Sequence, residues 1–447
     1  MIKHWNRVIN MQERSFELHH GNKKIGVIGL GYVGLPLALL FTQNNHHVTG
    51  IDTDAYKIKQ LQKGKSHIPD ISDTDITSAL TAGTLTVTTD YDVAASLDII
   101  IICVPTPLSN DGKPDLRFIK QVSEALVPRL QKHQLIILES STYPGTTRDV
   151  ILPILEKSDL AIGEDVHLGY SPERIDPGNE SMEVKDIPKV ISGITDDCFR
   201  HVSRFYRSIF TQVVPASSVE VAELSKLLEN SYRFINISFI NEMAMLCDKL
   251  DINLWEAIAS AGTKPYGFTP FFPGPGIGGH CIPVDPLYLY WVGQKHGYHH
   301  RFLSLAEHTN NQLPTYITRQ VQSRLEQKKN IKASNILLCG IAYKKDSNDV
   351  RSSPAISIMK NFLQLGANVV YHDPYVPEVT IDQQTCHSVP LTTEQLEDAD
   401  IVIFLTDHST FPMQKIMDHA TLIYDSRNQT QGLKGNADVI VLGGGKA

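Results

Sequence analysis

The sequence predicts an α/β protein with two parallel-sheet domains joined by a central helical segment. Three observations carry this. Short apolar runs alternate with helix-patterned stretches up to about residue 212. A breaker-poor stretch with helical periodicity follows. From residue 335 the strand–helix rhythm resumes. Strands alternating with helices imply a parallel sheet covered on both faces.

The first apolar run is 24–28 (Lys-Ile-Gly-Val-Ile), followed by Gly29-Leu30-Gly31-Tyr32-Val33-Gly34 and then the helix-like Leu35-Pro-Leu-Ala-Leu-Leu-Phe41. Residues 48–52 form a second strand, 98–104 a third and 134–139 a fourth. Residues 217–250 lack breakers and repeat apolar residues at helical spacing (Val221, Leu224, Leu227, Leu228, Phe234, Ile235, Phe239), which predicts one long helix. A Gly/Pro-rich loop at 262–286 contains Cys281, and helix resumes to about residue 328. Strands at 336–340, 368–372, 400–405, 422–425 and 439–442 build the second sheet. The expected organisation is therefore an extension at 1–22, a dinucleotide-binding domain at 23–212, a central helical domain at 213–328 and a second nucleotide-like domain at 329–447.

A chain of 447 residues supports several ordinary cores. Its net charge of −8 gives no reason to expect nucleic acid or an anionic membrane as partner. No apolar run reaches membrane-spanning length, and residues 1–22 lack the apolar core of a signal peptide. The six cysteines have no paired spacing, so a reducing cytoplasm is the expected setting, with Cys103 and Cys339 as buried thiols in apolar strands. No metal site is expected.

Gly29, Gly31 and Gly34 match G-x-G-x-x-G between a strand and a helix. In a Rossmann-like domain the first glycine allows the turn, and the second lets the backbone approach a pyrophosphate at the helix N-terminus. Asp52 ends the next strand, where a carboxylate can accept from both ribose hydroxyls and repels a 2′-phosphate, so NAD is favoured over NADP. The alternative, a purely structural glycine turn, explains Asp52 less well.

The second motif is Gly276-Ile-Gly-Gly-His280-Cys281-Ile-Pro-Val-Asp285. Most cysteines are small buried hydrophobes. This one lies in a loop too rich in Gly and Pro for a core strand, where flanking glycines permit close approach of a ligand. A sheltered thiolate beside a nicotinamide site could trap an aldehyde as a thiohemiacetal, which a second oxidation converts to a thioester. Asp285 could orient water or accept a proton, or could be a helix-cap carboxylate. Lys226 and Asn230 lie four apart on the long helix and share a face with Ala222 and Arg233. Lys226 could lower a thiol pKa or stabilise an alkoxide, or be an ordinary solvated lysine. Residues 140–145 and 170–174 are strand-end loops, the usual ligand position in open α/β sheets.

Together these segments resemble the UDP-glucose/GDP-mannose dehydrogenases. The matching stretches, in family order, are Gly29-Leu-Gly-Tyr-Val-Gly-Leu-Pro36, Val104-Pro-Thr-Pro107, Ser141-Thr-Tyr-Pro144, Ser171-Pro-Glu-Arg174, Ala222-Glu-Leu-Ser-Lys-Leu-Leu-Glu-Asn230, the cysteine loop, Ala342-Tyr-Lys344 and Asp349-Val-Arg-Ser-Ser-Pro354. The resemblance implies a four-electron, NAD-dependent oxidation of a sugar 6-hydroxyl to an acid. By resemblance Cys281 is the nucleophile. Asp285 assists water or proton transfer, Lys226 and Asn230 hold an oxyanion or water, Glu173 is the acid–base residue of deacylation, and Thr142 holds a water nearby. Cofactor contacts are expected from Gly29, Gly31, Tyr32, Val33, Gly34, Asp52, Lys57, Thr106, Thr142 and Arg351. Substrate contacts are expected from Glu173, Arg174, Lys226, Asn230, Arg233, Phe272, Gly276 and Lys344, with the third domain binding the UDP moiety. The family's central helix is its usual dimer interface, so a homodimer is expected.

Glucose-specific members carry serine where His280 stands, and lysine where Val284 stands. The loop 274–286 with Ser171-Pro-Glu-Arg-Ile-Asp-Pro-Gly178 is similar to the N-acetylhexosamine branch, nearest to UDP-N-acetylglucosamine enzymes. UDP-N-acetylgalactosamine, UDP-N-acetylmannosamine and UDP-glucose are the alternative substrates. The other readings are a single-step hydroxyacid dehydrogenase and a non-catalytic NAD-binding scaffold.

Overall fold

The structure, a computed structural model, describes residues 21–68, 71–109, 111–174 and 182–445. All but the last two residues of the expected N-terminal extension lie outside this set. The chain divides into two compact units, 1–229 with 294–296, and 230–293 with 297–447.

The first unit is built on one eight-stranded sheet. Its strands are β1 (Lys24–Ile28), β2 (His47–Ile51), β3 (Leu85–Thr88), β4 (Ile99–Ile102), β5 (Leu135–Leu138), β6 (His167–Tyr170), β7 (Lys189–Gly193) and β8 (Val213–Pro215), in the order β3-β2-β1-β4-β5-β6-β7-β8. Helices α1 (Gly34–Gln43), α2 (Ala55–Gln62), α3 (Asp73–Thr81), α4 (Arg117–Leu126), α5 (Leu152–Leu155) and α6 (Asp196–Arg207) accompany it. β4 and β5 are wholly buried because both faces are covered. Their side chains alternate between two cores. Ile99, Ile101, Leu135 and Ile137 join Ile25 and Val27 on one side. Ile100, Ile102, Ile136 and Leu138 join Ile28 on the other.

One detail differs from expectation: the sheet, which runs on to β8, is not fully parallel, because β6 and β7 pair antiparallel at Gly169↔Gly193. A parallel neighbour needs a crossover, usually a helix. Among the described residues of 171–188 there is only a 3-10 turn, Val184–Asp186.

The long helix α7 (Val219–Leu250, 32 residues) starts in the first unit and continues into the second. Its apolar residues do not all serve a core. Leu227 and Phe234 are buried, whereas Val221, Leu224, Leu228 and Phe239 are exposed.

In the second unit α7 is followed by α8 (Leu254–Gly262), α9 (Asp285–Lys295) and α10 (Arg301–Leu325). A five-stranded parallel sheet comes next: β9 (Asn335–Cys339), β10 (Asn368–His372), β13 (Ile401–Phe404), β14 (Leu422–Asp425) and β15 (Asp438–Val441), in the order β10-β9-β13-β14-β15. Helices α11 (Pro354–Gln364), α12 (Thr393–Asp398) and α13 (Met413–His419) complete it. A hairpin of β11 (Glu378–Ile381) and β12 (Gln384–His387) was not expected. Its turn residues Asp382 and Gln383 both have positive φ (46° and 70°), a turn geometry usually signalled by Asn-Gly or Asp-Gly.

Candidate active site

In each sheet the strand order reverses beside the first strand, between β1 and β4 and between β9 and β13. Open α/β sheets bind ligands at such switch points, beyond the carboxyl ends of the strands. Gly29–Gly34 follows β1, and Gly340–Lys344 follows β9.

The three glycines of the first loop do different work. Gly29 has φ +93°, and a Cβ there would lie 2.6 Å from the Cys103 carbonyl oxygen. A Cβ on Gly34 would collide with the Gly29 carbonyl, so this residue lets α1 pack against the turn. A Cβ on Gly31 would meet no atom of the chain within 4 Å. The space beside Gly31 suits a pyrophosphate at the start of α1, which is the fit NAD requires. Tyr32 and Val33 complete the turn into that helix.

Asp52 is buried and accepts from the N–H groups of Leu30 (2.9 Å) and Asp54 (3.0 Å) and from Lys57 Nζ (2.7 Å). Burial pushes its carboxyl up, but the Lys57 bond and the two N–H groups outweigh this and hold it below the ordinary carboxylate range. Lys57 is thus directly coupled to the Asp52 carboxylate. Asp373 stands at the equivalent place in the second sheet. Its oxygens accept from the N–H groups of Ile341, Ala342, Tyr375 and Val376 and face His408 Nε2 at 3.1 Å. With so many donors already placed, Asp373 organises its own loops, which fits the missing glycine fingerprint there.

Thr106 Oγ1 donates to the Ser141 carbonyl (2.7 Å), joining the loops after β4 and β5. Thr142 is fully buried and donates to Thr146 Oγ1 (2.6 Å), so its hydroxyl can only accept from a further partner. Glu223 of α7 clamps this loop by accepting from Gly145 N (2.6 Å), Thr147 N (2.8 Å) and Thr147 Oγ1 (2.7 Å). One helical turn further, Lys226 is only 8% exposed and forms no hydrogen bond or ion pair among the described residues. A solvated lysine would not be buried in this way.

Glu173 is buried at the end of β6, with Lys189 Nζ at 3.4 Å. Lys189 also reaches Glu139 at 2.5 Å, and Tyr206 donates its hydroxyl to Glu139. Arg174 donates to Glu229 (3.1 Å) and to the Pro188 carbonyl (3.0 Å). The sequence reading missed Glu139, Lys189, Tyr206 and Glu223. The signals were a carboxylate closing the apolar run 134–139 and a lysine opening the strand at 189.

In the second unit the cysteine loop is built from the backbone. Gly276 and Gly279 have φ +137° and +88°; Gly279 N donates to the Arg351 carbonyl (2.9 Å), and Ile277 N to Asn310 Oδ1 (2.7 Å). The loop lies so close to residues 343–354 that a Cβ on Gly278 would come 3.1 Å from Pro354 Cδ, and one on Gly279 would come 2.7 Å from the Tyr343 ring. The Cys281 carbonyl accepts from Val284 N (3.2 Å) and Asp285 N (2.9 Å), turning the chain into α9. Cys281 is exposed, which corrects the expectation of a sheltered thiol: the Gly/Pro loop presents it just outside the first turn of the helix. Cys103 and Cys339 are buried as expected.

Asp285 opens α9 but is 2% exposed, and it accepts from Asn230 Nδ2 at 2.6 Å; Asn230 is itself 1% exposed. The structure thus joins two of the expected site residues, 55 positions apart, in a buried charge-assisted bond. Arg233 is half-buried on α7, and exposed Phe272 stacks on Trp255 (5.8 Å, 17°). Lys344 is half-buried on the loop after β9. Exposed Arg351 pairs with Asp349 through Nε (2.9 and 3.0 Å) and Nη2 (2.6 Å).

One group of described residues has metal-ligand composition: His167, Asp197 and His201. The two imidazoles stack face to face at 3.6 Å and 13°, so their in-plane lone pairs do not converge on one ion.

A glycine turn with room for a pyrophosphate and a buried carboxylate after the next strand fit the dinucleotide-binding domain of a dehydrogenase. Comparison with known proteins narrows this. Three consecutive regions match the UDP-glucose/GDP-mannose dehydrogenase family: its NAD binding domain at 23–210, its central domain at 220–312 and its UDP binding domain at 337–432. Protein CapL of Staphylococcus aureus is 34% identical over 411 residues, covering 90% of this chain and 94% of that protein. The UDP-N-acetyl-D-glucosamine 6-dehydrogenase of Pseudomonas aeruginosa is 34% identical over 394 residues, covering 87% and 91%. The solved UDP-D-ManNAc dehydrogenase of Pyrococcus horikoshii superposes with a TM-score of 0.86 at 29% identity, covering 95% of this chain and 100% of that one. The chain belongs to the UDP-glucose/GDP-mannose dehydrogenase family and is an NAD-dependent nucleotide-sugar oxidoreductase.

Proposed function

We propose that the protein oxidises the 6-hydroxymethyl group of a UDP-N-acetylhexosamine, preferentially UDP-N-acetyl-D-glucosamine, to the uronic acid. The buried Asn230–Asp285 bond beside the cysteine loop carries this reading. It holds a carboxylate and an amide at the start of the helix that Cys281 precedes, as a covalent oxidation requires. The sugar assignment is supported by His280 and Val284 in the loop and by relatives whose names specify N-acetylhexosamines, glucosamine in one case and mannosamine in the other.

In the proposed reaction C6 gives up two hydrides, one before and one after Cys281 adds to the aldehyde, and NAD would supply the acceptor for each, two NAD being used in succession per sugar. The Cys281 sulfur forms a C–S bond to C6, giving a thiohemiacetal and then a thioester. Lys226 and Asn230 stabilise the oxyanion at C6 and Asp285 takes the proton. Water then attacks the thioester, with Glu173 accepting a proton from it and Thr142 accepting a hydrogen bond from it. The C–S bond breaks, and the thiolate and acid are released. Gly29, Gly31, Gly34, Asp52, Lys57 and Thr106 would hold the dinucleotide, with Arg351 contributing from the segment after β9. Arg174, Arg233, Phe272, Gly276 and Lys344 would hold the nucleotide sugar.

The three-domain division at 23–212, 213–328 and 329–447 is part of this proposal, as is dimerisation through α7, whose exposed Leu228 (62%) and Phe239 (56%) invite a second copy. Among the described residues no helix is long and apolar enough to cross a membrane.

The test is the number of NADH formed per limiting UDP-N-acetylglucosamine, with the product identified by mass. Two NADH and an acid support the reading. One NADH with a carbonyl product rejects it in favour of a single-step dehydrogenase. Faster turnover of UDP-N-acetylmannosamine, UDP-N-acetylgalactosamine or UDP-glucose in competition reassigns the sugar.

A further inference from the structure

The second sheet buries a histidine at its switch point that the proposed reaction does not use. His408 lies in the segment after β13 and is 1% exposed. Its Nδ1 is 2.9 Å from the main-chain nitrogen of Asp346, in the segment after β9. Its Nε2 is 3.1 Å from Asp373 Oδ2, in the segment after β10. The ring packs against Tyr375 (5.1 Å, 51°) and Phe411 (5.3 Å, 86°).

The partners fix the tautomer. A main-chain N–H can only donate, so Nδ1 accepts and carries no proton. The ring proton is therefore on Nε2 and is donated to Asp373. Burial pushes the Asp373 carboxyl up, but the His408 bond and the N–H groups of Ala342 and Ile341 hold it below the ordinary carboxylate range. The ring is thus a bridge with an acceptor end toward Asp346 and a donor end toward Asp373.

The acceptor end matters because of what hangs on it. Asp346 follows Lys344 by two residues and has φ +52°, in the left-handed region. A non-glycine residue keeps that conformation only where its surroundings hold it. The Asp346 carboxylate accepts from the Ser409 N–H and hydroxyl, both at 2.8 Å. Ser347 Oγ donates to the Lys344 carbonyl at 3.1 Å. On the other side of Lys344, Thr406 donates to the Ala342 carbonyl. The main chain is therefore pinned before and after Lys344.

We infer, on the proposed contact of Lys344 with the nucleotide sugar, that His408 is a positioning residue for substrate binding. Its Nδ1 sets the main-chain path after β9, so that Lys344 is in place before the UDP moiety arrives. A preordered lysine avoids the entropy of ordering the loop on binding. His408 is closed to solvent and acts through the loop. Loss of binding that is equal in ground and transition states raises KM and leaves kcat in place.

The two ends of the ring can be tested apart. Asparagine places its oxygen near the position of Nδ1, and glutamine places its amide near that of Nε2. UDP is titrated into the full chain by calorimetry and NADH by fluorescence, and KM and kcat are measured with UDP-N-acetylglucosamine. His408→Asn keeps an acceptor for the Asp346 N–H and should bind UDP as the parent does. His408→Gln keeps the Asp373 end and loses that acceptor. Its UDP affinity should fall about tenfold, the scale of one buried donor left unpaired. KM should rise alike, with kcat and NADH affinity parent-like. A merely structural ring would move the urea midpoint of both variants and leave UDP affinity unchanged in both. Parent-like UDP affinity in folded His408→Gln, or equal losses in the two variants, overturns the inference. Hydrogen exchange on the parent needs no variant: residues 343–347 should be protected before UDP is added. Protection that arises only with UDP also overturns the inference. Lys344→Met separates the two levels. Parent-like UDP affinity in Lys344→Met removes the Lys344 contact itself. Weakened binding there, with parent-like His408→Gln, removes only the role of His408.

Discussion

Gly31 and Gly34 are three residues apart in one motif, and the structure predicts opposite consequences for the same added methyl group. At Gly34 the new Cβ would strike the Gly29 carbonyl, and backbone cannot move aside cheaply. Overpacking of this kind costs about 1–3 kcal/mol. At Gly31 the Cβ meets nothing of the chain within 4 Å, and φ lies outside the left-handed region, so the fold should tolerate alanine within about 0.5 kcal/mol. The methyl would instead occupy the space where the pyrophosphate must approach the backbone. Loss of one hydrogen bond to a charged group costs about 1.5–3 kcal/mol, which corresponds to roughly 10–150-fold weaker NAD binding. Urea unfolding and NADH fluorescence titration on Gly31→Ala and Gly34→Ala measure the two effects separately. Unchanged NADH affinity in Gly31→Ala, or parent-like unfolding in Gly34→Ala, would refute the division of labour.

Four further outcomes are expected. Cys281→Ser should lose net acid formation while NADH titration remains parent-like; full acid production would sink the covalent path. Asn230→Ala strips the buried Asp285 carboxylate of a 2.6 Å donor. Turnover should fall by about 10–150-fold if the cost of about 1.5–3 kcal/mol is felt in the transition state, and steady-state kinetics with UDP-N-acetylglucosamine would show it. His167 is held below the ordinary histidine value by burial first and by the neighbouring His201 next, with Asp197 opposing. The unfolded chain therefore takes up this proton first, so the group's contribution, intact above pH 6.5, is lost as pH falls through the unfolded value. His167→Asn should flatten the fall of the urea midpoint between pH 6.5 and 5, and an unchanged slope would exclude it. Leu228→Asp with Phe239→Asp on α7 should give a monomer by analytical ultracentrifugation; a persisting dimer would place the contact elsewhere.

Local pattern is readable wherever a single element decides it. The apolar runs at 24–28, 98–104 and 134–139 became β1, β4 and β5 within a residue or two at each end, because strands buried on both faces need unbroken apolar sequence. The 217–250 period became one helix. The glycine spacing placed a turn at the start of α1, since the backbone there admits no larger residue at Gly29 or Gly34. The hairpin at 378–387 stayed hidden because Asp-Gln is a weak turn signal and tertiary context imposed its positive φ angles.

What sequence determined by itself was therefore most of the strand–helix order and the glycine turn at the start of α1, both written within short windows. Only tertiary structure decided that Asn230 meets Asp285 across 55 positions, that Lys226 is buried, that Cys281 is exposed, and that Glu139 and Lys189 stand behind Glu173. The physical reason is that desolvation and charge pairing depend on distance through space. A lysine opening a strand looks solvated in the sequence until folding closes two carboxylates around it.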